Sequence, residues 1–275
     1  MLPRQPLIAI RASRSPVLAQ LKEAFAHREL LYFFIWRDLK VRYRQTILGA
    51  AWVILQPLLT TLVFTIFMSR LARVPSDGLP YPLFAYTALL PWTFFSNSVL
   101  TSTYGLTGNS VIITKIYFPR LIIPAAIVGV RLVDFLVACV VWVGLMLSYG
   151  MGFTPRMLIL PVLVANLTVF TLGVSSYLSV LNIRYRDVGT LLPVLIQLWM
   201  FASPIIYPLS LVPPKWRLLY SLNPISGMIE AARASVFGLP LNWRSLTISI
   251  AVTVVSFAVF VYYFCRSEEN LIDIV

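Results

Sequence analysis

The chain is 275 residues long, with 59% apolar residues, 12% charged residues and a formal net charge of +12. Soluble domains carry about a quarter of their residues as charges, so this composition, with a mean hydropathy of +0.84, excludes an ordinary water-soluble fold. The charge does not argue for nucleic acid either. Nine of the 22 Lys and Arg residues precede Gln45, against three acidic residues, a bias that keeps basic segments on the cytoplasmic side and draws them to anionic lipid.

Residues 1–46 read as a cytoplasmic segment. Ser15 and Pro16 form a cap and first-turn pair for a helix, and the apolar stretch from Val17 to Leu21 is too short for a secretory signal. Further on, Leu31, Ile35 and Leu39 share one helical face, while Arg37, Lys40 and Arg44 fall nearly opposite. This is the pattern of a helix lying in the headgroup plane. It serves either as a plain anchor or as a surface for a partner or an anionic lipid head. From Arg37 the basic shelf runs without a spacer into Leu48 to Ser69, 22 residues with no charge. At about 1.5 Å per residue these cross a hydrocarbon core of about 30 Å.

Residues 47–265 read as a six-span, all-α transmembrane domain with both termini cytoplasmic. After a turn-rich loop, Arg70 to Pro82, a second span runs from Leu83 to Tyr104, with Pro91 near its middle. A cytoplasmic return carries Lys115 and Arg120, and span three lies within Leu121 to Tyr149. It holds Arg131 and Asp134, three residues apart on one face. These two either neutralise each other, or Arg131 meets a substrate phosphate or bridges helices. Span four, Met157 to Leu181, ends in the cytoplasmic piece NIRYRD, and span five covers Gly189 to Ile206 up to SPIIYP.

Residues 208–243 are too polar to cross and too apolar for an ordinary loop. Asn223 and Pro224 cap a helix that runs to Phe237, with Gly238 in the position after its end. Two short helices dipping into the outer leaflet fit the segment, as does a folded surface loop. Ser245 to Cys265 is the sixth span, and residues 266–275 form a cytoplasmic tail.

Chemical motifs are mostly missing. There is no GxxxxGK[ST] phosphate loop, and a single histidine, His27, cannot build a His-based metal site. Ten scattered carboxylates include no paired-Asp motif for a metal and a sugar nucleotide, and two cysteines give no disulfide framework. A stand-alone membrane enzyme therefore finds no catalytic constellation. What remains is charge and aromatic residues at membrane depth, where ionisable groups are costly and often functional. Trp52, Phe64, Phe67, Trp92, Phe94, Phe95 and Tyr104 on the first two spans either pack the core or line a conduit in which sugar rings slide over aromatic faces.

Several segments in order, YRQTILGAAWVILQP (Tyr43 to Pro57), KIYFPRLIIP (Lys115 to Pro124), NIRYRD, SPIIYP and LNP (Leu222 to Pro224), resemble the membrane subunits of type-2 ABC exporters for polysaccharides. The likeness is greatest to O-antigen permeases and the related teichoic-acid permeases, with capsule permeases ranking lower. It runs from about Tyr32 to the end of span six and leaves residues 1–30 uncovered. The resemblance implies a homodimer in the bacterial cytoplasmic membrane, paired with two copies of a separate ATPase that binds the ATP and Mg; the chain itself holds no cofactor. It also implies an amphipathic interface helix, re-entrant helices before span six, and a coupling helix at about Leu106 to Tyr117. Thr107, Asn109, Ile113, Lys115 and Tyr117 would then face the ATPase. The substrate would be a glycan on undecaprenyl pyrophosphate, docking against some of Arg37, Lys40, Arg42, Arg44 and Arg131. A lipid or drug exporter of the same superfamily would share the spans without needing an aromatic path.

Overall fold

The computed structural model describes residues 17–44, 49 and 51–267. The cap at Ser15 and Pro16, the start of span one at Leu48 and the acidic tail residues Glu268, Glu269 and Asp273 lie outside them. No strand occurs among the described residues. Two N-terminal helices, α1 (Val17–Ala26) and α2 (Arg28–Arg44), precede α3 (Ala51–Phe64), which continues through a π-helical stretch, Thr65–Leu71. Then come α4 (Tyr81–Thr103), the short α5 (Gly105–Gly108) and α6 (Ser110–Lys115), and α7 (Ile122–Ser148). A 3₁₀ turn, Pro155–Ile159, leads into α8 (Leu160–Arg184), followed by α9 (Asp187–Phe201), α10 (Pro214–Ser221), α11 (Pro224–Val236) and α12 (Trp243–Ser267).

Among the described residues four helical segments are long and apolar enough to cross a membrane: Ala51–Leu71, Ile122–Ser148, Pro155–Arg184 and Trp243–Ser267. The expected six requires α4 and α9 as well. At 23 residues α4 has the length, but Thr87, Thr93, Ser96, Asn97 and Ser98 lower its hydropathy. Its neighbours explain why it tolerates them. It is the central helix, packed on α3, α7, α8 and α11, and its hydroxyls donate back to its own carbonyls, as Thr87 does to Leu83 at 2.7 Å and Ser98 to Phe94 at 2.6 Å. Aromatic rings fill the core around it: Phe95 stacks on Phe170 at 5.6 Å and meets the edge of Trp199 at 5.1 Å.

Helix α9 has 15 residues, about 22 Å of rise, and stops at Phe201 rather than Ile206. Past its end the chain turns at Pro204, where a backbone without helical partners must find donors. Arg233 of α11 supplies them. It is 6% exposed, its guanidinium donates to the carbonyls of Pro204 at 2.7 Å and Ile205 at 2.6 Å, and it lies 3.5 Å from the centre of the Phe84 ring. Helix α11 starts as its local sequence dictates. Asn223 accepts from the Ile225 N–H at 3.2 Å and donates to Ser203 at 2.8 Å. It ends before Gly238, whose φ of +68° needs a residue without a Cβ.

Candidate functional site

The site begins with the packing of α2. Phe34 is buried against Phe118, with centroids 5.7 Å apart, and Ile35 seats over Gly129 of α7, where an added Cβ would lie 2.6 Å from its Cδ1. The apolar face of α2 is thus occupied by protein, and its last turn is carried to the side of α7. There Arg42 Nη1 donates to Asp134 Oδ2 at 2.5 Å, and the Tyr43 hydroxyl donates to Asp134 Oδ1. Arg131, one turn away on the same face, lies 3.6 Å from Asp134 Oδ2 and donates to Thr101 Oγ1 of α4 at 2.7 Å. One carboxylate therefore collects two cations and a phenol and ties α2, α4 and α7 together. Burial, reinforced by Asp134, pushes the Tyr43 phenol up to about 12, so it stays a donor at physiological pH.

This hub forms one wall of a cleft of about 60 Å³ between α3, α4 and α7, whose other polar groups are Gln56, Thr93 and Asn97, with Trp52 at its edge. Of the five cations expected to meet a phosphate, the structure brings only Arg42 and Arg131 together here. Arg37 turns away. Its Nε binds Asp38 at 2.7 Å, its Nη2 donates to Asn109 Oδ1 at 3.3 Å, and its guanidinium covers the Phe34 ring at 4.7 Å. Lys40 lies 4.6 Å from the centre of the Trp36 ring, and it and Arg44 are exposed.

The segment expected as one coupling helix is two short helices broken at Asn109, whose Nδ2 donates to the Gly105 carbonyl at 2.8 Å. Thr107, Lys115 and Tyr117 are exposed, Ile113 packs on the cluster around Phe34, and Tyr117 reaches Glu23 of α1 at 3.4 Å.

The aromatics divide. Trp92, Phe94 and Phe95 are buried in the core around α4, so packing, not an open path, accounts for them in this conformation. Phe64 is half-buried against the same core. Trp52, Phe67 and Tyr104 are 51%, 53% and 52% exposed. Tyr104 leans on Gly189, which has no Cβ to obstruct it, beside Asn182.

Sequence reasoning singled out Arg42 and Asp134 separately but not their pairing, and it passed over Tyr43 as a partner and Arg233 altogether. The signal for Arg233 was there: a lone arginine in an apolar helical stretch needs buried acceptors.

Fold and site define a multi-pass helical membrane protein whose basic N-terminal helix is ion-paired to a spanning helix. The chain belongs to the ABC-2 type transporter family, which matches residues 29–237. It is 31% identical over 216 residues to the O-antigen export system permease protein RfbA of Myxococcus xanthus, covering 78% of this chain and 82% of that one. It is 30% identical over 237 residues to a protein of the same name from Klebsiella pneumoniae, covering 84% and 91%. The polysialic acid transport protein KpsM of Escherichia coli is 23% identical over 220 residues, covering 76% and 84%.

Proposed function

We propose that the chain is the permease subunit of an ATP-driven exporter that moves a polysaccharide of O-antigen type, carried on undecaprenyl pyrophosphate, across the bacterial cytoplasmic membrane. The observation that carries this reading is the likeness, over most of both chains, to permeases of O-antigen export systems. The weaker likeness to KpsM ranks capsular polysaccharide below it, and teichoic acid shares the same general chemistry. The working unit is a homodimer with two copies of a separate ATPase, and α4 and α9 complete six spans with α10 and α11 re-entrant between the last two.

On this reading the lipid pyrophosphate arrives at the cleft beside α2. Its oxygens compete with Asp134 for Arg42 and Arg131, since a phosphate offers several strong acceptors to guanidinium groups. Lys40 and Arg44 attract it from the surface. Closure of the ATPase pair pushes on α5 and α6, and the Asn109–Arg37 contact passes that displacement to α2. The glycan then moves between the two copies past α3 and α9, with the exposed Trp52 and Phe67 offering faces on which sugars stack weakly and slide.

The test is deletion of the gene and complementation with a tagged copy. Surface polysaccharide should disappear and return, lipid-linked polymer should accumulate inside in the deletion strain, and an equimolar P-loop ATPase should co-purify. Intact surface polysaccharide in the deletion strain, or a folded protein that reproducibly purifies without an ATPase, overturns the reading.

A further inference from the structure

The last turns of α12, with Val261, Phe264 and Cys265, pack in the cluster that contains Phe34 of α2 and Leu106 of α5. Helix α12 has 25 residues, about 37 Å of rise, so its first residues lie at the opposite end of the bundle from the interface helix. There the structure holds a second cleft, about 450 Å³, walled by α10, α11 and the start of α12. That volume falls in the range of sites for small molecules, about 300–1,000 Å³, and its lining is unlike a lipid-facing groove. Arg217, Glu230, Asn242, Arg244 and Ser245 all face it.

These groups are arranged for a ligand that both donates and accepts. Arg217 is held in place by its own backbone contacts, Nε to the Val212 carbonyl at 3.0 Å and Nη2 to that of Ser210 at 3.4 Å. Asn242 caps the first turn of α12 through the Ser245 N–H at 3.2 Å. Among the described residues Glu230 makes no ion pair, its carboxylate being bonded by the side chains of Ser245 and Asn242 with acceptor capacity to spare, and Arg244 donates to no protein group, although the two line the same cleft. A free anion entering here meets the Glu230 carboxylate, and a cation meets two guanidinium groups. A neutral, hydroxyl-rich ligand satisfies both kinds, donating to Glu230 and accepting from Arg217 and Arg244.

We infer that this cleft binds sugar units of the exported glycan at the extracytoplasmic end of the protein. The inference rests on the export reading, and it adds a second contact for the polymer, remote from the pyrophosphate entrance. A sugar site here would hold the emerging chain while the next units pass, and would favour one direction of movement.

The test uses the full chain with its co-purified partner in nanodiscs and the host's own polymer, freed from its lipid by mild acid. Saturable binding is measured by calorimetry for the unaltered protein and for Glu230→Gln and Arg244→Ala, beside inorganic phosphate as a competing probe. Arg244 is exposed, so its variant folds even if Glu230→Gln does not. The expected result is polymer binding weakened about tenfold in the variants, as the loss of a hydrogen bond to a charged group implies, with no effect of phosphate. Equal binding by the variants, no binding at all, or displacement by phosphate overturns the sugar site. Complementation of the deletion strain with the unaltered gene separates this from the export reading: restored surface polysaccharide without polymer binding sinks the cleft proposal alone.

Discussion

Arg42 and Asp134 meet at 2.5 Å across 92 residues of sequence, and this contact fixes α2 to the side of α7. Asp134 is the more buried partner, with 12% of its side chain exposed against 37% for Arg42. Removing the two is therefore not symmetrical. Asp134→Ala leaves two guanidinium groups facing each other with no counter-charge and should cost about 3 kcal/mol. Arg42→Ala removes the more exposed partner and leaves Asp134 still bonded to Tyr43 and near Arg131, so it should cost only about 1 kcal/mol. Thermal unfolding of the purified protein checks this order; equal losses would mean that Asp134 is not the hub.

Arg233 should behave as a structural clamp. Arg233→Met removes the charge-assisted bonds to Pro204 and Ile205 and leaves those carbonyls buried without donors, an effect of about 2–4 kcal/mol. Arg233→Lys keeps the charge but cannot span both carbonyls, so it should recover only part of the loss. Limited proteolysis between Ala202 and Val212 should quicken in both variants, and unchanged cleavage in Arg233→Met would argue against the clamp.

Gly189 lies in the first turn of α9, against Tyr104. A Cβ there would sit 2.7 Å from Tyr104 Cζ and 2.8 Å from Asn182 Oδ1. Asn182 is not free to move. It accepts from the Gly189 N–H at 2.9 Å and donates to the Thr103 carbonyl at 3.1 Å, joining α8, α9 and α4. Gly189→Ala should destabilise by about 1–3 kcal/mol, and adding Tyr104→Ala should restore part of it. Melting curves of the single and double variants measure the coupling.

What the sequence made legible was mainly local. Helix α7 runs Ile122–Ser148 where a span within Leu121 to Tyr149 was expected, and α11 begins and ends at the signals of Asn223, Pro224 and Gly238. Such features depend on neighbouring residues, and their rules are short-range. The end of α9 was missed because the acceptors of Arg233 lie 28 and 29 residues away in the chain. The aromatics of α4 stayed open between core and conduit for a different reason. In a membrane the lipid face and the protein face of a helix are both apolar, so periodicity cannot tell Phe95 in the core from Phe67 at the surface.

That division of the aromatics predicts two kinds of variant. Phe95 is fully buried between Phe170 and Trp199, and Phe95→Ala should cost about 3 kcal/mol and lower the amount of protein in the membrane. Trp52 and Phe67 are half-exposed, so Trp52→Ala and Phe67→Ala should leave the melting temperature and the membrane level nearly unchanged. If these two rings carry the glycan, export should nevertheless slow severalfold, in line with about 1–3 kcal/mol per stacking contact in other aromatic platforms. Quantifying surface polysaccharide per molecule of membrane-resident protein separates the effects. Full export by the Trp52→Ala, Phe67→Ala double variant would remove stacking from the mechanism and leave the two rings as lipid or subunit contacts, while slowed export at normal protein level would place the path along α3.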